Sequence, residues 1–456
     1  MFCLNTRKGT YYLLNMKYEN QKRYILLLAF SLMAFFSFAQ SPFSVVGGNG
    51  TPFQALNENR MEVYLLYGLN NAQISYTGDG QHVWYKYREN ANEAIPIPCV
   101  QNGNVSSIDN IESGYGYFVG SNLSSSTNYI WIIDYSRYLP VFSGIHFEEE
   151  ESDRCEVLKI TLQVDAENLS YKTPTGVTRN VARQYELTYQ ILKWDDESKQ
   201  FLTETKTDIL RGILTEYVID APLLNTTFTL TGDHFSKHFG KEASMQTDEY
   251  EAVAVEAHAV AEWDSEKAGN DISKAGENLG GSAPKDFTFT AYANEPVANR
   301  YTWKVFFYNL QTGTKDLKVS FSDKTLRYTF SESGTYEVKL EVDDRNYLCV
   351  DSTQTFNVFM DETQIIIPNV FSPGSSIGVN DEFKVGFTSL LSFKASIFNR
   401  WGNLLYEWSD PTKGWDGRVH GKFVPTGVYF IIVEYTDTTG KKKTKSSDIN
   451  IIRSKN

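Results

Sequence analysis

Histidine, cysteine and positive charge are all scarce in this sequence. Its 456 residues include 6 His and 4 Cys, and the formal net charge is -13. An acidic chain repels phosphate, which excludes nucleic acid as an expected partner. Sequence patterns of catalysis are scarce too, because there is no Cys-x-x-Cys pair, no dinucleotide-binding glycine spacing and no pattern that selects two carboxylates for glycoside hydrolysis. We therefore predict a protein that is not an enzyme and that holds no cofactor.

The histidines do not predict a metal site. His234 and His238 are close together, and a spacing of four would place them on one face of a helix. The surrounding segment TTFTLTGDHFSKHFG is instead typical of a strand that runs into a loop. It also has no Glu at the position that zinc proteases require, so we expect no metal here.

The four cysteines leave their pairing open. Cys3 lies in or before an apolar leader, so Cys99, Cys155 and Cys349 remain, and an odd number cannot all pair within one chain. Export permits disulfides without requiring them. Cys99 with Cys155 is one candidate pair, and small buried thiols are the alternative.

Near its start the chain has an apolar run that is typical of a secretory signal peptide. YILLLAFSLMAFFSF, Tyr24–Phe38, follows basic residues, and Ser37 and Ala39 supply a small-x-small cleavage pattern. We predict residues 1–39 as a signal peptide. A membrane anchor is the alternative, but the run is short for a span of about 20 residues. No other segment is apolar enough to span a bilayer, so we expect no transmembrane segment after cleavage.

Helical periodicity is scarce, whereas short alternating apolar runs recur between Gly, Asn, Asp and Ser. This pattern, with 14% aromatic residues, predicts an all-β fold. In EYEAVAVEAHAVAEW, Glu249–Trp263, the apolar residues mostly alternate, which favours a strand over a helix. Other predicted strands are VWYKY (Val83–Tyr87), YIWIIDY (Tyr129–Tyr135), FTFTAY (Phe287–Tyr292) and VYFIIVEY (Val428–Tyr435).

A repeated Trp-to-Tyr spacing indicates immunoglobulin-like sandwiches. In that fold a core Trp lies on a middle strand, and a later Tyr bonds the backbone of the corner before its own strand. Two pairs lie 33 residues apart and a weaker one lies 34 apart; they are Trp84–Tyr117, Trp303–Tyr336 and Trp194–Phe228.

Composition divides the chain after the leader into four segments. We predict immunoglobulin-like domains at 40–147 and 148–240, a third domain at 241–362 and a last domain at 363–456. In the third, SGTYEVKLEV (Ser333–Val342) is similar to the Gly-x-Tyr-x-Val-x-Leu-x-Val strand of PKD-type modules, although the Trp-x-Phe-Gly-Asp-Gly stretch of those modules is absent. The boundary segments are EEEE (Glu148–Glu151), HFGKEASMQTDE (His238–Glu249) and MDET (Met360–Thr363), and Ala268–Pro284 is an expected inserted loop.

The last domain has five ordered motifs: IPNVFSP, VNDEF, IFNRWGNLLY with GWDG, VPTGVYFIIV and INIIR. Their order over residues 365–453 resembles the gliding-motility-associated C-terminal domain, the type B sorting domain of cargo for the type IX secretion system. The resemblance implies a β-sandwich that the outer-membrane export machinery recognises. The matching residues are Pro368, Asn369, Phe371, Pro373, Asn380, Asp381, Asn399, Arg400, Trp401, Gly402, Trp415, Asp416, Gly417, Gly427, Tyr429 and Arg453.

Most of these residues also have a structural interpretation. We expect the glycines to form turns, Asn399 and Asp416 to satisfy turn amides, and both Trp401 and Trp415 to be packing residues more often than partner contacts. Arg400 is open between packing and docking. The loop Gly374–Gly378 lacks a carboxylate that the family has, so we expect no cation there.

Together these features predict an exported cell-surface or secreted modular β-protein, adhesive or structural, that takes a surface glycan or protein as its ligand. One alternative is a carbohydrate-binding or enzymatic front end in residues 41–240. Its aromatic residues could form a sugar-binding face, although alternation would place about half of them in a core. They are Tyr85, Tyr87, Tyr115, Trp131 and Tyr135. A fixed envelope component is the third possibility.

Overall fold

The computed structural model describes residues 41–120, 127–148, 154–212, 215–274, 279–309, 312–374 and 381–453. Within these ranges the chain is built of strands, with one five-residue helix and two 3-10 turns, Ala91–Glu93 and Tyr135–Arg137, which confirms the predicted all-β class. The predicted leader, residues 1–39, lies outside the described residues. In the part that is described, no helix is both long and apolar enough to cross a bilayer.

The first module comprises strands β1–β10. Its two sheets have the orders β1-β4-β8-β7 and β2-β3-β10-β9-β5-β6. Strand β10 is buried along its whole length because it lies in the middle of the larger sheet, parallel to β3. The bounds are β1 Phe43–Val46, β2 Phe53–Glu58, β3 Met61–Leu66, β4 Gln73–Thr77, β5 Trp84–Tyr87, β6 Ile95–Ile97, β7 Val100–Asn102, β8 Val105–Ile108, β9 Tyr115–Val119 and β10 Tyr129–Asp134.

The second module comprises β11–β19 and one short helix, α1. Its sheets are β11-β12-β17 and β16-β15-β18-β19, and β13 pairs with β14 alone. The bounds are β11 Val141–Glu148, β12 Val157–Asp165, β13 Leu169–Lys172, β14 Thr178–Val181, β15 Gln184–Asp195, β16 Gln200–Arg211, β17 Glu216–Asp220, β18 Thr229–Gly232, α1 His234–His238 and β19 Ala243–Gln246.

The third module comprises β20–β28. Strands β20-β22-β25 form one sheet, and β21-β28-β26-β23-β24 form the other, with β27 added to β26. Strand β20 confirms the strand predicted in the second half of Glu249–Trp263, whereas the first half is irregular. The bounds are β20 Ala257–Trp263, β21 Gly280–Gly281, β22 Lys285–Ala293, β23 Ala298–Asn309, β24 Thr314–Phe321, β25 Thr325–Phe330, β26 Gly334–Asp344, β27 Val350–Asp351 and β28 Thr355–Met360.

The last module comprises β29–β37 and is dominated by the sheet β30-β37-β36-β32-β33. Strand β36 pairs antiparallel with β37 across the lysine-bearing turn, as the sequence predicts. The bounds are β29 Gln364–Ile366, β30 Val370–Phe371, β31 Gly386–Thr388, β32 Leu390–Phe398, β33 Leu404–Trp408, β34 Arg418–Val419, β35 Lys422–Phe423, β36 Gly427–Asp437 and β37 Lys442–Ile451.

Two of the three spaced aromatic pairs form the predicted corners. Trp84 and Tyr117 share one core, and the Tyr117 hydroxyl contacts the backbone of Glu112. In the third module Trp303 and Tyr336 share a core, where the Tyr336 hydroxyl donates to a backbone carbonyl at 3.0 Å. Each hydroxyl thereby bonds the backbone of the corner that precedes its own strand.

The weaker pair is wrong, because only Phe228 belongs to the core of its module. Trp194 lies at the far end of β15, next to the turn into β16. Its indole stacks on the imidazole of His258 in the third module, with ring centroids 4.3 Å apart and planes 3° from parallel. Trp194 therefore makes a contact between modules and does not form a core pair with Phe228.

Cys155 is bonded to Cys349, and Cys99 is free. The candidate pair of Cys99 with Cys155 is therefore wrong. Cys155 precedes β12 of the second module and Cys349 lies in the turn between β26 and β27, so the bond joins two modules whose partners are 194 residues apart in sequence. Sequence proximity could not indicate this pairing.

Cores and contacts cross the predicted domain boundaries. Side chains of β13, β14 and α1 pack in the core of the first module. The segment before β21 reaches the last module, where the Asn270 amide donates to the carbonyls of Val385 and Pro411 at 2.8 and 2.7 Å. The division at 147, 240 and 362, and the PKD-like character of the third segment, stay predictions.

Candidate functional site

The predicted sorting residues of the last module fall into a buried group and an exposed group. Phe371, Trp415, Gly417 and Tyr429 are buried, whereas Arg400, Trp401 and Gly402 are exposed at the end of one hairpin. The structure thus separates motif residues that build the module from motif residues that it presents to solvent.

Trp415 is the centre of the buried group. Its ring is fully buried among Phe371, Tyr406 and Tyr429, with centroids 6.1 to 6.3 Å away. Its indole N–H donates to the carbonyl of Arg418 at 3.0 Å. Backbone bonds of 2.7 and 3.0 Å to Phe383 fix its position in the fold. Trp415 is therefore a packing residue, as predicted.

The turn after Trp415 requires its small residue. Gly417 has a φ of 78°, and a Cβ there would lie 2.8 Å from the ring of Pro373. The Asp416 carboxylate accepts the backbone N–H of Arg418 at 2.9 Å, which confirms the predicted turn role of Asp416.

The exposed group lies in the turn between β32 and β33. Gly402 has a φ of 83°, as the predicted hairpin requires. The Asn399 side-chain oxygen accepts two backbone N–H groups, those of Trp401 and Asn403, each at 3.0 Å. Backbone bonds from Asn399 to Asn403 and from Gly402 to Asn399 complete the loop. Asn399 thus satisfies turn amides as predicted, and the loop is held by its own bonds.

Arg400 and Trp401 form the tip of this hairpin, which we call the Arg400–Trp401 tip. Trp401 is 71% exposed, so its predicted packing role is wrong. The guanidinium carbon of Arg400 lies 4.2 Å from the centre of the Trp401 ring, a cation–π arrangement. The turn is already stabilised without either side chain, so both are available for a partner.

The remaining motif residues support strands and corners. Tyr429 donates to the carbonyl of Pro425 at 2.9 Å, a third tyrosine corner, just after Gly427 with a φ of 146°. Arg453 donates to the carbonyl of Val424 at 2.7 Å. The carbonyl of Asn369 accepts a backbone N–H of β37 at 2.9 Å. Pro368 and Asp381 are exposed. Asn380 and most of the loop at Gly374–Gly378 lie outside the described residues.

The two close histidines lie on the short helix α1, so the predicted loop there is wrong. Asp233 caps this helix by accepting the N–H of Ser236. His234 accepts the backbone N–H of Gln184 at 3.1 Å, and burial lowers the pKa of its imidazole. His238 contacts the carbonyl of Thr51 at 2.8 Å. In the described ranges no three His, Cys, Asp or Glu side chains are placed to hold a metal.

Sequence reasoning missed a buried ion pair next to this helix. Asp233 and Arg183 are almost fully buried and 2.5 Å apart, and the Tyr135 hydroxyl of the first module donates to the same carboxylate. Arg183 also donates to the carbonyls of Tyr138 and Glu167, both at 2.7 Å. The charged groups of Asp233 and Arg183 are bonded to each other and to groups of both modules. This cluster is therefore a junction between modules. No local pattern connects residues 135, 183 and 233.

The candidate sugar-binding aromatics do not form one exposed face. Tyr87, Trp131 and Tyr135 are buried in the core of the first module. Tyr85 and Tyr115 are half-buried; Tyr85 stacks on Phe118 at 5.2 Å, and Lys86 lies 5.0 Å from the ring of Tyr115. Alternation along the strands placed most of these rings inside, as the structural interpretation requires.

Comparison with known families gives two matches. Residues 365–451 match the CHU_C type IX secretion signal domain, and residues 147–247 match a fibronectin type III domain. The last module is thus a type IX secretion signal preceded by an immunoglobulin-like module. The signal marks the protein for handling by the secretion machinery and for export to the cell surface or the extracellular space. Comparison with curated proteins gave no match.

Two solved structures are similar over most of the chain but at low scores. One is a tetra-tandem repeat in the extending region of a large adhesion protein, with 12% identity, 86% of this chain and 99% of that chain covered, and a TM-score of 0.21. The other is a Ca²⁺-stabilized adhesin that helps an Antarctic bacterium reach out and bind ice, with 9% identity, 90% and 99% coverage, and a TM-score of 0.19. Likeness at these scores carries no argument about this chain.

Proposed function

We propose that this protein is a non-catalytic, modular β-protein whose last module directs export and whose preceding modules act in adhesion or assembly outside the cell. The observation that carries the proposal is that one set of sorting-motif residues is buried and another set is exposed. Trp415 and its neighbours build the sandwich, while the self-stabilised turn at Asn399 presents the Arg400–Trp401 tip to solvent. A secretion signal that the export machinery recognises needs both a stable fold and exposed residues that the machinery can contact.

The contacts of the histidines support a structural role for the front modules. His82 lies 2.7 Å from the hydroxyl of Ser106 in a buried pair. His258 is stacked on Trp194 and lies 2.7 Å from the carboxylate of Glu256. These side chains join strands and modules, because both ring nitrogens of His82 and the Nε2 atom of His258 contact groups of the fold.

The junctions between modules support a mechanical role. The Cys155–Cys349 bond joins the second and third modules covalently. Buried Asn294 adds a donation to the carbonyl of Leu223 at 2.8 Å, and Asn270 ties the third module to the last. Modules held by such contacts resist separation, which suits a protein that must present a surface or bear load.

Export is tested by deleting residues 365–456 and fractionating the producing cells. We expect the truncated chain to accumulate in the periplasm, while the intact protein and an unrelated cargo of the same machinery reach the surface or the medium. Normal surface delivery of the truncated chain would refute the export role. Host cells that lack a functional type IX machinery should retain even the intact protein.

Adhesion is tested with the full-length exported protein on glycan and extracellular-matrix arrays, together with assays for sugar release. Binding to an array ligand without turnover supports the adhesive role. Sugar release would instead establish an enzymatic front end in residues 41–240. Sedimentation with outer membranes after high-salt washing would identify a fixed envelope component.

A further inference from the structure

Part of the outer face of the main sheet in the last module is apolar, although the solvent-facing side of a sheet is ordinarily polar. Along β36 the side chains of Val428, Phe430 and Ile432 alternate with buried ones and are 48, 45 and 37% exposed. Directly opposite Phe430 lies Phe398 of β32, and opposite Phe398 lies Leu404 of β33. Cross-strand neighbours share one face of a sheet, so these five side chains form one surface, which we call the apolar face.

The third module provides an internal comparison. Its strand β26 is also a central strand that begins with Gly and reaches a corner Tyr two residues later, but its outward positions are charged. Glu341 is paired with Lys304 at 2.5 Å, and Asp343 is paired with Arg300 at 3.0 Å. This is the ordinary solution for a solvated sheet face. The same architecture therefore does not require the apolar residues of β36.

The apolar face continues into the Arg400–Trp401 tip. Phe398 and Leu404 are the residues on either side of the turn, so Trp401 projects from the same end of the sheet. Contacts with the third module lie at the other end of β36, where Thr438 bonds Ser333 at 2.7 Å. Nine steps of about 3.3 Å separate Val428 from Asp437, so the two ends of this segment lie roughly 30 Å apart. The chain's own described modules thus leave this end open.

We infer that the apolar face and the Arg400–Trp401 tip together form the surface to which the secretion machinery binds. The inference rests on the proposed export function. The occupant is a protein surface with apolar side chains for Phe430 and Trp401 and a carboxylate for Arg400. Among the described residues Arg400 has no carboxylate partner, and its only ring contact is Trp401. Contiguous exposed apolar side chains rimmed by polar residues are typical of protein–protein interaction sites.

Charge distinguishes a protein occupant from a membrane surface. Asp448 lies directly opposite Phe430 on β37, and Glu434 follows Ile432 on the same face of β36. Lys394 of β32 lies opposite Glu434. The repulsion of anionic lipid headgroups therefore comes mainly from Asp448, next to Phe430. A protein partner can place polar groups opposite these charged side chains and keep its apolar contacts for the centre of the face.

The test uses point variants of the full chain in producing cells. We expect Phe430→Thr and Trp401→Ser each to lower the exported fraction about tenfold or more, since exposed aromatic anchors dominate the binding energy of interfaces. Ile366→Thr is the matched control, because Ile366 is as exposed as Phe430 (45%) but lies in the separate β29–β31 sheet. Its export should stay within about twofold of wild type. Arg400→Glu should lower export more than Arg400→Gln.

Three results would overturn the inference. Normal export of the Phe430 and Trp401 variants, while deletion of 365–456 still abolishes export, rejects the docking surface and leaves the export function intact. Equal export of Arg400→Glu and Arg400→Gln rejects the carboxylate partner. A wild-type dimer at micromolar concentration that Phe430→Thr converts to a monomer without loss of export makes the face a contact between copies. Calorimetry of each purified variant is the control for folding, and its unfolding transition should match that of wild type.

Discussion

Trp415 and Trp401 stand fourteen residues apart in one sorting motif, yet Trp415 is fully buried and Trp401 is 71% exposed. We predict opposite effects on stability. Trp415→Ala should lower the free energy of unfolding of the last module by about 3–5 kcal/mol, because it leaves a cavity among aromatic rings. Trp401→Ala should change it by less than about 0.5 kcal/mol. Scanning calorimetry of the full-length protein separates the two outcomes.

The same two variants distinguish folding from recognition. Trp415→Ala should lose export through instability, and export should recover in part at low growth temperature. Trp401→Ser should lose export at every temperature with an unchanged unfolding transition. Equal stability losses for both variants would show that the tip is part of the core.

The Arg183–Asp233 pair predicts a large cost for breaking the junction between the first two modules. Arg183→Met leaves the Asp233 charge buried without its partner, which should cost about 3–5 kcal/mol of unfolding free energy. Arg137→Met is the control, since Arg137 is exposed and the Asp134 carboxylate, 3.5 Å away, keeps its bonds to the backbone N–H groups of Gly68 and Ser136. The loss of this solvent-screened contact should cost about 0–1 kcal/mol. Urea unfolding of both variants tests the difference. Equal midpoints would mean that Asp233 finds another partner.

The Cys155–Cys349 bond predicts a defined thiol count. Denatured mature protein should show one reactive thiol, from Cys99, and three after reduction. Cys155→Ser with Cys349→Ser should lower the stability of the second and third modules by about 2–5 kcal/mol. Cys99→Ser should leave the unfolding transitions unchanged. Three reactive thiols before reduction would disprove the pairing.

Much of the fold follows from local sequence patterns. Alternation along Val428–Tyr435 predicts a strand with one buried face, and Gly402 and Gly417 have the positive φ that their turns need. The Trp303–Tyr336 spacing predicts a core pair and a corner because both depend on short stretches of strand. These features are local, so a single sequence is enough to find them.

The junctions between modules could not be predicted because they join distant segments. Nothing near Trp194 indicates that it stacks on His258 instead of entering a core. Nothing near Cys155 selects Cys349 over Cys99. The burial of Trp415 and the exposure of Trp401 also depend on tertiary position. The local sequence does not distinguish them, since each Trp is followed within two residues by a glycine of positive φ, Gly417 or Gly402. Such contacts are decided by how modules meet, and alternation within one strand does not report that.

The turn between β36 and β37 predicts an acid-sensitive contribution to stability. The Asp437 carboxylate lies 2.9 Å from the ammonium of Lys443 and accepts from the Thr439 hydroxyl and two backbone N–H groups. The Lys443 ammonium first, and then the Thr439 hydroxyl, hold the pKa of Asp437 well below its ordinary value of 3.8. The unfolded chain therefore takes up a proton before the folded one does. This stabilisation is present at neutral pH and is lost as the pH falls below about 4.

Asp437→Asn keeps an acceptor for the turn but removes the charge, so it should lower the unfolding temperature of the last module at pH 7. The difference from wild type should shrink towards pH 2. Asp448→Asn, a change at an exposed carboxylate on the neighbouring strand, is the control for general charge effects. A difference between Asp437→Asn and wild type that persists unchanged at low pH would show that the Asp437–Lys443 pair does not stabilise the fold.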